Sequence, residues 1–314
     1  QEAELSTRKA IELNPNFAEA HSSLGGVLND LDKVKEAFDC YIKATELDPK
    51  LPNLNESITK CFRDLDLSQF NKSKLLNILN HLLERDDISH KELFKALNFL
   101  YKNEIINHLR KFESNLFKEQ PLKLFVNDNL IINALKKIIF QDTELEKKLT
   151  KLRKYICNQI NTNKKSINPA ELKFIIALGE QCFLNEYIYS FTDEEMISIS
   201  KIISKCKNGE LNETNFSILA CYIPLYKLLD QIPSLKYFNS SNKNFKELMK
   251  SQIIEPLEEI ELAKGIKKVG LIKDNISQKV KFQYEQNPYP RWIYSNYSMI
   301  KNVSISKAIN NEIK

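Results

Sequence analysis

Residues Ala18 to Pro49 read AEAHSSLGGVLNDLDKVKEAFDCYIKATELDP. Part of this stretch echoes the residues before it at an offset of 34: Ala3 matches Ala37, Ala10 matches Ala44, Leu13 matches Leu47 and Pro15 matches Pro49. A period of that length implies two antiparallel helices per unit, each burying its apolar face only against neighbours. The small residues Gly25 and Ala37 are expected where the two helices cross, Tyr41 in the gap between units, and Pro49 at the end of the second helix. Residues 1 to 16 then form the second helix of an earlier unit. Because the sequence opens in mid-unit, on Gln1 rather than Met, it reads as an internal fragment of a longer protein.

Position by position, the unit resembles a tetratricopeptide repeat. With Ala18 as its first residue, Leu24-Gly25 fall at positions seven and eight, Ala37 at twenty, Tyr41 at twenty-four, Ala44 at twenty-seven and Pro49 at thirty-two. His21 stands where Trp is usual and Leu28 where Tyr is usual; both slots need bulk rather than one chemistry. The resemblance implies a concave face on the first helix, carrying Glu19, Ser22, Ser23, Gly26, Asn29 and Asp30, that takes a protein or peptide partner. Repeats that clamp a peptide carboxylate carry Lys and Asn there; Ser22 and Gly26 hold two of those places here, which disfavours that ligand. The unit is more similar to repeats of the sugar-transferase type, although Ser23 stands where those often carry Asn. His21 is expected to pack between helices.

Composition supports long helices. Only six Gly and ten Pro in 314 residues leave little punctuation for hairpins, so an all-α chain is expected. The six Cys lie far apart with no C-x-x-C pair, which argues against zinc and against a disulfide framework. No metal site is therefore expected. No run reaches the roughly 18 apolar residues of a membrane span and no signal peptide opens the chain, so the expected location is cytoplasmic, away from membranes. Net charge is +5, but Lys and Glu are interspersed along most helices, which gives no reason to expect nucleic acid. The most basic stretch, Lys147, Lys148, Lys151, Arg153 and Lys154, is expected to be a solvated face on a helix packed through Leu145, Leu149, Leu152, Ile156 and Ile160.

From Leu51 onward the 34-residue pattern fails and a different series of helices begins. Ser89-x-x-Glu92, Thr143-x-x-Glu146 and Thr192-x-x-Glu195 have the form of capping boxes, and Asn168-Pro169-Ala170-Glu171 joins an N-cap to Pro at the first helical position. Apolar residues between Phe174 and Tyr189 wrap most of the helix circumference, so that helix should be central. Pro224 inside the apolar run Phe216 to Leu229 predicts a kink near Ala220 to Ile223, or a break into two helices. The four His sit on separate helices without a matching nucleophile, and Glu255, Glu258, Glu259 and Glu261 suit an exposed helix face, so no catalytic residue is assigned.

Near the end, Tyr284-Glu285-Gln286-Asn287-Pro288-Tyr289-Pro290-Arg291-Trp292 holds the only Trp. A helix over Ser277 to Gln286, packed through Val280, Tyr284 and Phe282, is broken by Asn287-Pro288, and the Pro-x-Pro run stiffens the segment through Trp292. This block, and the phrase Gly179-Glu180-Gln181-Cys182-Phe183-Leu184-Asn185-Glu186-Tyr187, resemble the region of bacterial proteins in which tetratricopeptide repeats and helices precede a class I S-adenosylmethionine-dependent methyltransferase domain. The likeness covers most of residues 52 to 292.

It implies three parts: repeats over 1–51, a helical middle domain over 52–276 and a lead-in over 277–314 to a further, catalytic domain. Tyr284, Asn287, Tyr289, Arg291 and Trp292 would contact the cofactor, the acceptor or the surface of that domain, onto which the lead-in would dock. The Gly-rich cofactor loop is absent from these residues, and Gly25-Gly26 belongs to the repeat. The fragment is thus expected to bind no cofactor and to be catalytically silent, while the intact protein would use S-adenosylmethionine. The alternatives are a non-enzymatic interaction scaffold and the repeat region of a glycosyltransferase-type protein.

Overall fold

The computed structural model describes residues 2–114, 126–162, 167–265 and 274–286. Among them there is no strand, and fourteen α-helices are joined by short 3-10 and π turns, so the chain is all-α. It divides into two compact units, one through Leu100 and the other from Tyr101.

In the first unit, α1 (Glu2–Leu13), α2 (Ala18–Asp30), α3 (Val34–Leu47) and α4 (Leu54–Asp64) each pack on the next, most extensively α2 on α3. The crossing of α2 and α3 rests on Gly25, where an added Cβ would lie 2.6 Å from Cε1 of Tyr41. Tyr41 thus covers Gly25 inside its own unit. Its other side meets α4: burial and Cys61 push the phenol up, and a hydrogen bond with Ser57 opposes them. The turn from α2 to α3 closes without Gly. Asp32 takes φ 58°, and the N–H groups of Asp32 and Lys33 bond back to the carbonyls of Asn29 (3.0 Å) and Leu28 (2.9 Å), the Schellman pattern.

The sequence period ends near Leu51, yet the packing does not. α4 is buried at Leu54, Asn55, Glu56, Ile58, Thr59, Cys61 and Phe62, and Phe62 and Phe70 meet Phe38 edge-on at 5.6 and 5.2 Å. The unit continues through α5 (Lys72–Leu83) and the start of α6 (Phe94–Ser114). Leu93, Leu97 and Leu100, at the four- and three-residue steps of one helix face, are buried there. The expected capping box at Ser89 is corrected. Ser89 caps nothing with its side chain, its N–H donates to Glu56 of α4 (3.2 Å), and the chain first makes a 3-10 turn over His90–Leu93. A carboxylate from another helix has taken the place of Glu92.

The second unit is built around α9 (Pro169–Leu184), buried at every position from Phe174 to Leu184. Against it pack α7 (Asn129–Lys137), α11 (Glu213–Ala220) and α12 (Lys243–Met249), while α8 (Thr143–Asn161) packs on α10 (Asp193–Lys207) and α11. α9 and α11 approach closely at Gly179, whose added Cβ would lie 3.1 Å from that of Ala220. Pro224 breaks the apolar run as expected: α11 stops at Ala220 and a 3-10 turn resumes at Leu225–Leu228. The π turn Lys250–Ile254 leads into α13 (Glu255–Lys264).

The capping boxes at Asn168 and Thr192 close in both directions. The α8 cap is one residue earlier than expected, because Asp142 accepts from the N–H groups of Glu144 and Leu145 and leaves Thr143 as the first helical residue. Asn168→Ala should cost about 1 kcal/mol in urea unfolding, whereas Ser89→Ala, with no cap bond to lose, should stay within about 0.5 kcal/mol of the parent.

α14 (Asn275–Gln286) is capped by Asp274, and Ile276, Val280 and Phe282 on it are exposed. The expected packed side through Val280 and Phe282 is therefore corrected. Phe282 stands off the i, i+4 line of Ile276 and Val280, leaving a stripe too narrow to seat a helix.

Candidate functional site

On α2, Glu19, Ser22, Ser23, Gly26, Asn29 and Asp30 recur at the three- and four-residue steps that put them on one face. Glu19, Ser23, Asn29 and Asp30 are exposed, and Ser22 and Gly26 are half-buried. At the floor, an added Cβ on Gly26 would come no nearer than 3.9 Å to the Tyr41 hydroxyl. His21 donates from Nε2 to the Pro15 carbonyl at 2.9 Å, joining α2 to the turn that precedes it. Thirty-four residues further on, the corresponding places on α4 hold Glu56, Ser57 and Lys60. Glu56 is buried beneath Ser89 and Ser57 is half-buried, so of these three only Lys60 is exposed.

The other polar concentration is buried. Arg153, only 1 % exposed, comes from α8. Its guanidinium donates to the Ser190 carbonyl (2.7 Å) and the Cys221 carbonyl (3.4 Å), stands 3.6 Å from Glu195 Oε1, and covers the Tyr222 ring at 4.2 Å. Glu195 also accepts from the Tyr222 hydroxyl (2.7 Å) and from the N–H of Thr192 (2.8 Å), the residue it caps. The expectation that Arg153 belongs to a solvated basic face is overturned. Its spacing from Leu149, Leu152, Ile156 and Ile160 puts it on the apolar stripe, a signal that was present in the sequence. Lys147 and Lys151 remain exposed.

The phrase Gly179 to Tyr187 meets the turns after α11 and α12 through a network of hydrogen bonds. Gly179 accepts at its carbonyl from Gln252 Nε2 (3.0 Å), and Gln252 Oε1 accepts from the Leu225 N–H and the Tyr187 hydroxyl, each at 3.3 Å. Tyr187 also donates to the Ala220 carbonyl (3.2 Å). α9 stops in a Schellman turn with two successive left-handed residues, Glu186 (φ 55°) and Tyr187 (φ 59°), and these side-chain anchors hold that costly geometry. The π turn presents Ser251 and Gln252 side by side to α9, with the Ser251 hydroxyl 2.9 Å from both oxygens of Glu180.

Burial pushes the Glu180 carboxyl up to about 7; Glu247 and Glu255 act in the same direction, and the Ser251 hydrogen bond and Lys136 oppose it. The unfolded chain releases this proton near 4.3, so between those values the native state holds more protons. Stability from this group is fully present below about pH 4.3 and is lost as pH rises through 7. Glu180→Gln should flatten a fall of about 2–3 kcal/mol between pH 5 and 7.5, measured by urea titration at each pH.

Of the expected lead-in contacts, Tyr284 stands on α14 with its side chain outside the described residues, and Asn287, Tyr289, Arg291 and Trp292 lie outside them altogether. Among the described residues no group of three His, Cys, Asp or Glu is placed to hold a metal ion, and no helix is long and apolar enough to cross a membrane.

No protein-family model and no solved structure matches the chain. Homologous-pairing protein 2 of the yeast Saccharomyces cerevisiae is similar to it, 32 % identical over 136 residues that make up 40 % of this chain and 62 % of the yeast protein, so the chain spans less than two thirds of that relative's length.

Proposed function

We propose that this chain is the protein-binding and positioning region of a tetratricopeptide-type S-adenosylmethionine-dependent methyltransferase, with a protein or peptide acceptor engaged by the open face of α2. The observation that carries the interaction reading is the crossing of α2 and α3 at Gly25 under Tyr41. It leaves Ser23, Asn29 and Asp30 exposed on a rigid helix pair rather than on a loop. The methyl-transfer reading rests on the resemblance of residues 179 to 187 and 284 to 292. The residues present do not fit the cofactor: Gly25-Gly26 is the single adjacent Gly pair, and Gly25 is filled by Tyr41. S-adenosylmethionine binding is assigned to a domain that the lead-in would dock against, and no step of the chemistry is assigned to these residues.

The reading includes no nucleic acid. Lys9, Lys43, Lys102, Lys136 and Lys154 each lie within 3.4 Å of a carboxylate, so these five charges are shared with acids rather than offered to a phosphate backbone. The similarity to homologous-pairing protein 2 supports a second reading, a part in homologous pairing, which predicts binding to DNA. The cytoplasm is the proposed compartment, in keeping with free thiols at all six Cys.

Two measurements separate the readings. Calorimetry with S-adenosylmethionine on a version extended past Lys314 should give one binding event, and none sinks the methyltransferase reading while leaving the scaffold alternative. Peptides selected on the chain should lose binding on Ser23→Arg with the melting temperature unchanged; unaltered binding removes the α2 face from the proposal. Salt-dependent retention of duplex DNA would favour the pairing reading.

A further inference from the structure

We propose that the chain pairs with a second copy of itself, the acidic helix α13 of each copy lying in a basic groove along α8 and α10 of the other. The inference does not rest on the α2 face or on methyl transfer.

Two clefts flank the packed pair α8 and α10. One, of about 520 Å³, is lined by Lys147, Lys148 and Lys151 of α8 and by Ile188 to Ser190. The other, of about 760 Å³, is lined by Asn161 of α8 and by Met196, Ile197, Lys201 and Lys205 of α10. Lys147, Lys151, Lys154 and Asn161 recur at steps of four, three and seven residues, so both clefts lie along one line of α8. Along that line the bridge from Lys154 to Glu194 (2.8 Å) falls between them. Lining and bridge together bring six lysines against three glutamates. Beside these charges, Ile188, Phe191, Met196 and Ile197 are 48–69 % exposed, four large apolar side chains within ten residues of chain. Such a patch marks an interaction surface, and its apolar side chains fit a protein better than a phosphate backbone.

The complementary surface is α13. It packs on the π turn before it, Pro256 is its single buried residue, and every position from Glu258 to Gly265 is exposed. Ile254, Glu258 and Leu262 stand on one face at four-residue steps, with Glu255 and Glu261 flanking them. Ile254 and Leu262 are 49 and 72 % exposed. Glu255 and Glu261 have Lys250 and Lys264 of their own chain within reach, whereas Glu258 and Glu259 have no ion-pair partner among the described residues. An acidic helix with two apolar anchors is the occupant that a basic groove with an apolar patch accepts. Apolar contact supplies the affinity, and opposite charge fixes which surfaces meet. Each copy carries both surfaces, so one two-fold operation engages two helices and two grooves and closes the assembly at two.

The test uses the full chain. Sedimentation at about 100 µM, a concentration at which even a weak specific pair forms, should give twice the 36.6 kDa of a single chain, and high salt should reduce it. Lys147→Glu with Lys201→Glu makes the groove acidic, and Glu258→Lys with Glu259→Lys makes α13 basic. All four side chains are exposed, so the melting temperature should hold. Each double variant alone should dissociate about tenfold more readily, because like charges then face each other. Mixed in equal amounts, the two variants should pair again, since each acidic helix meets a basic groove and each basic helix an acidic one. A native chain that stays monomeric overturns the proposal, as does a dimer that both variants leave intact or that mixing fails to restore. Duplex DNA retained by a monomeric native chain and lost with Lys147→Glu and Lys201→Glu also overturns it, and gives the groove to nucleic acid.

Discussion

Arg153→Met should lower the stability of the second unit by about 3–5 kcal/mol, the cost of removing one partner from a buried ion pair. The guanidinium is enclosed by Ser190, Cys221, Glu195 and Tyr222 at 1 % exposure, so no water replaces it when it is lost. The change strands the Glu195 carboxylate, itself 1 % exposed, with hydrogen bonds and only the attraction of Lys154, which is paired with Glu194. Adding Glu195→Gln should therefore recover about 1 kcal/mol or more, since the two side chains form one network and their costs do not add. Urea unfolding of the parent, both single variants and the double variant closes the cycle. A loss under about 1 kcal/mol for Arg153→Met would show that this arginine is hydrated in solution, in contradiction to its position here.

Gly25→Val should cost about 3 kcal/mol or more in the first unit. The first added carbon already meets the Tyr41 ring at 2.6 Å, and the ring is confined on its far side by Ser57 and Cys61 of α4. Overpacking of this kind costs about 1–3 kcal/mol where neighbours can yield, and more where they cannot. Gly26→Ala is the matched control. Its nearest contact would be 3.9 Å, so relief of the Gly helix penalty should stabilise the unit by up to about 1 kcal/mol. Thermal melts, with hydrogen exchange to place the loss in α2 and α3, test the pair. Equal effects at the two positions would show that the α2–α3 crossing is not the one described.

Much of the architecture was legible before folding. Low Gly and Pro content marked an all-α chain, the 34-residue echo located α1 to α3, Asn168 and Thr192 marked helix starts, and Pro224 marked a break. These features are local, since a cap, a proline and a crossing glycine act within a few residues of themselves. Local rules failed where a distant group intervened. Ser89 has the right neighbours for a capping box, but Glu56, 33 residues earlier, reached its N–H first. Helix ends without Gly were also illegible: Asp32 and Glu186 take the left-handed turn that composition would reserve for glycine, and Tyr187 is held in it by Ala220 and Gln252.

The candidate site divides in the same way. Glu19, Ser22, Ser23, Asn29 and Asp30 follow from helical spacing alone, and the sequence by itself placed them on one face of α2. The burial of Glu56 beneath Ser89, at the equivalent place on α4, could be known only from folded neighbours. Likewise, the close approach of α9 to α11 at Gly179 and Ala220, and the enclosure of Arg153 by the Ser190 and Cys221 carbonyls, were decided only by tertiary packing, because a crossing distance depends on packing of the whole unit rather than on residues adjacent in sequence.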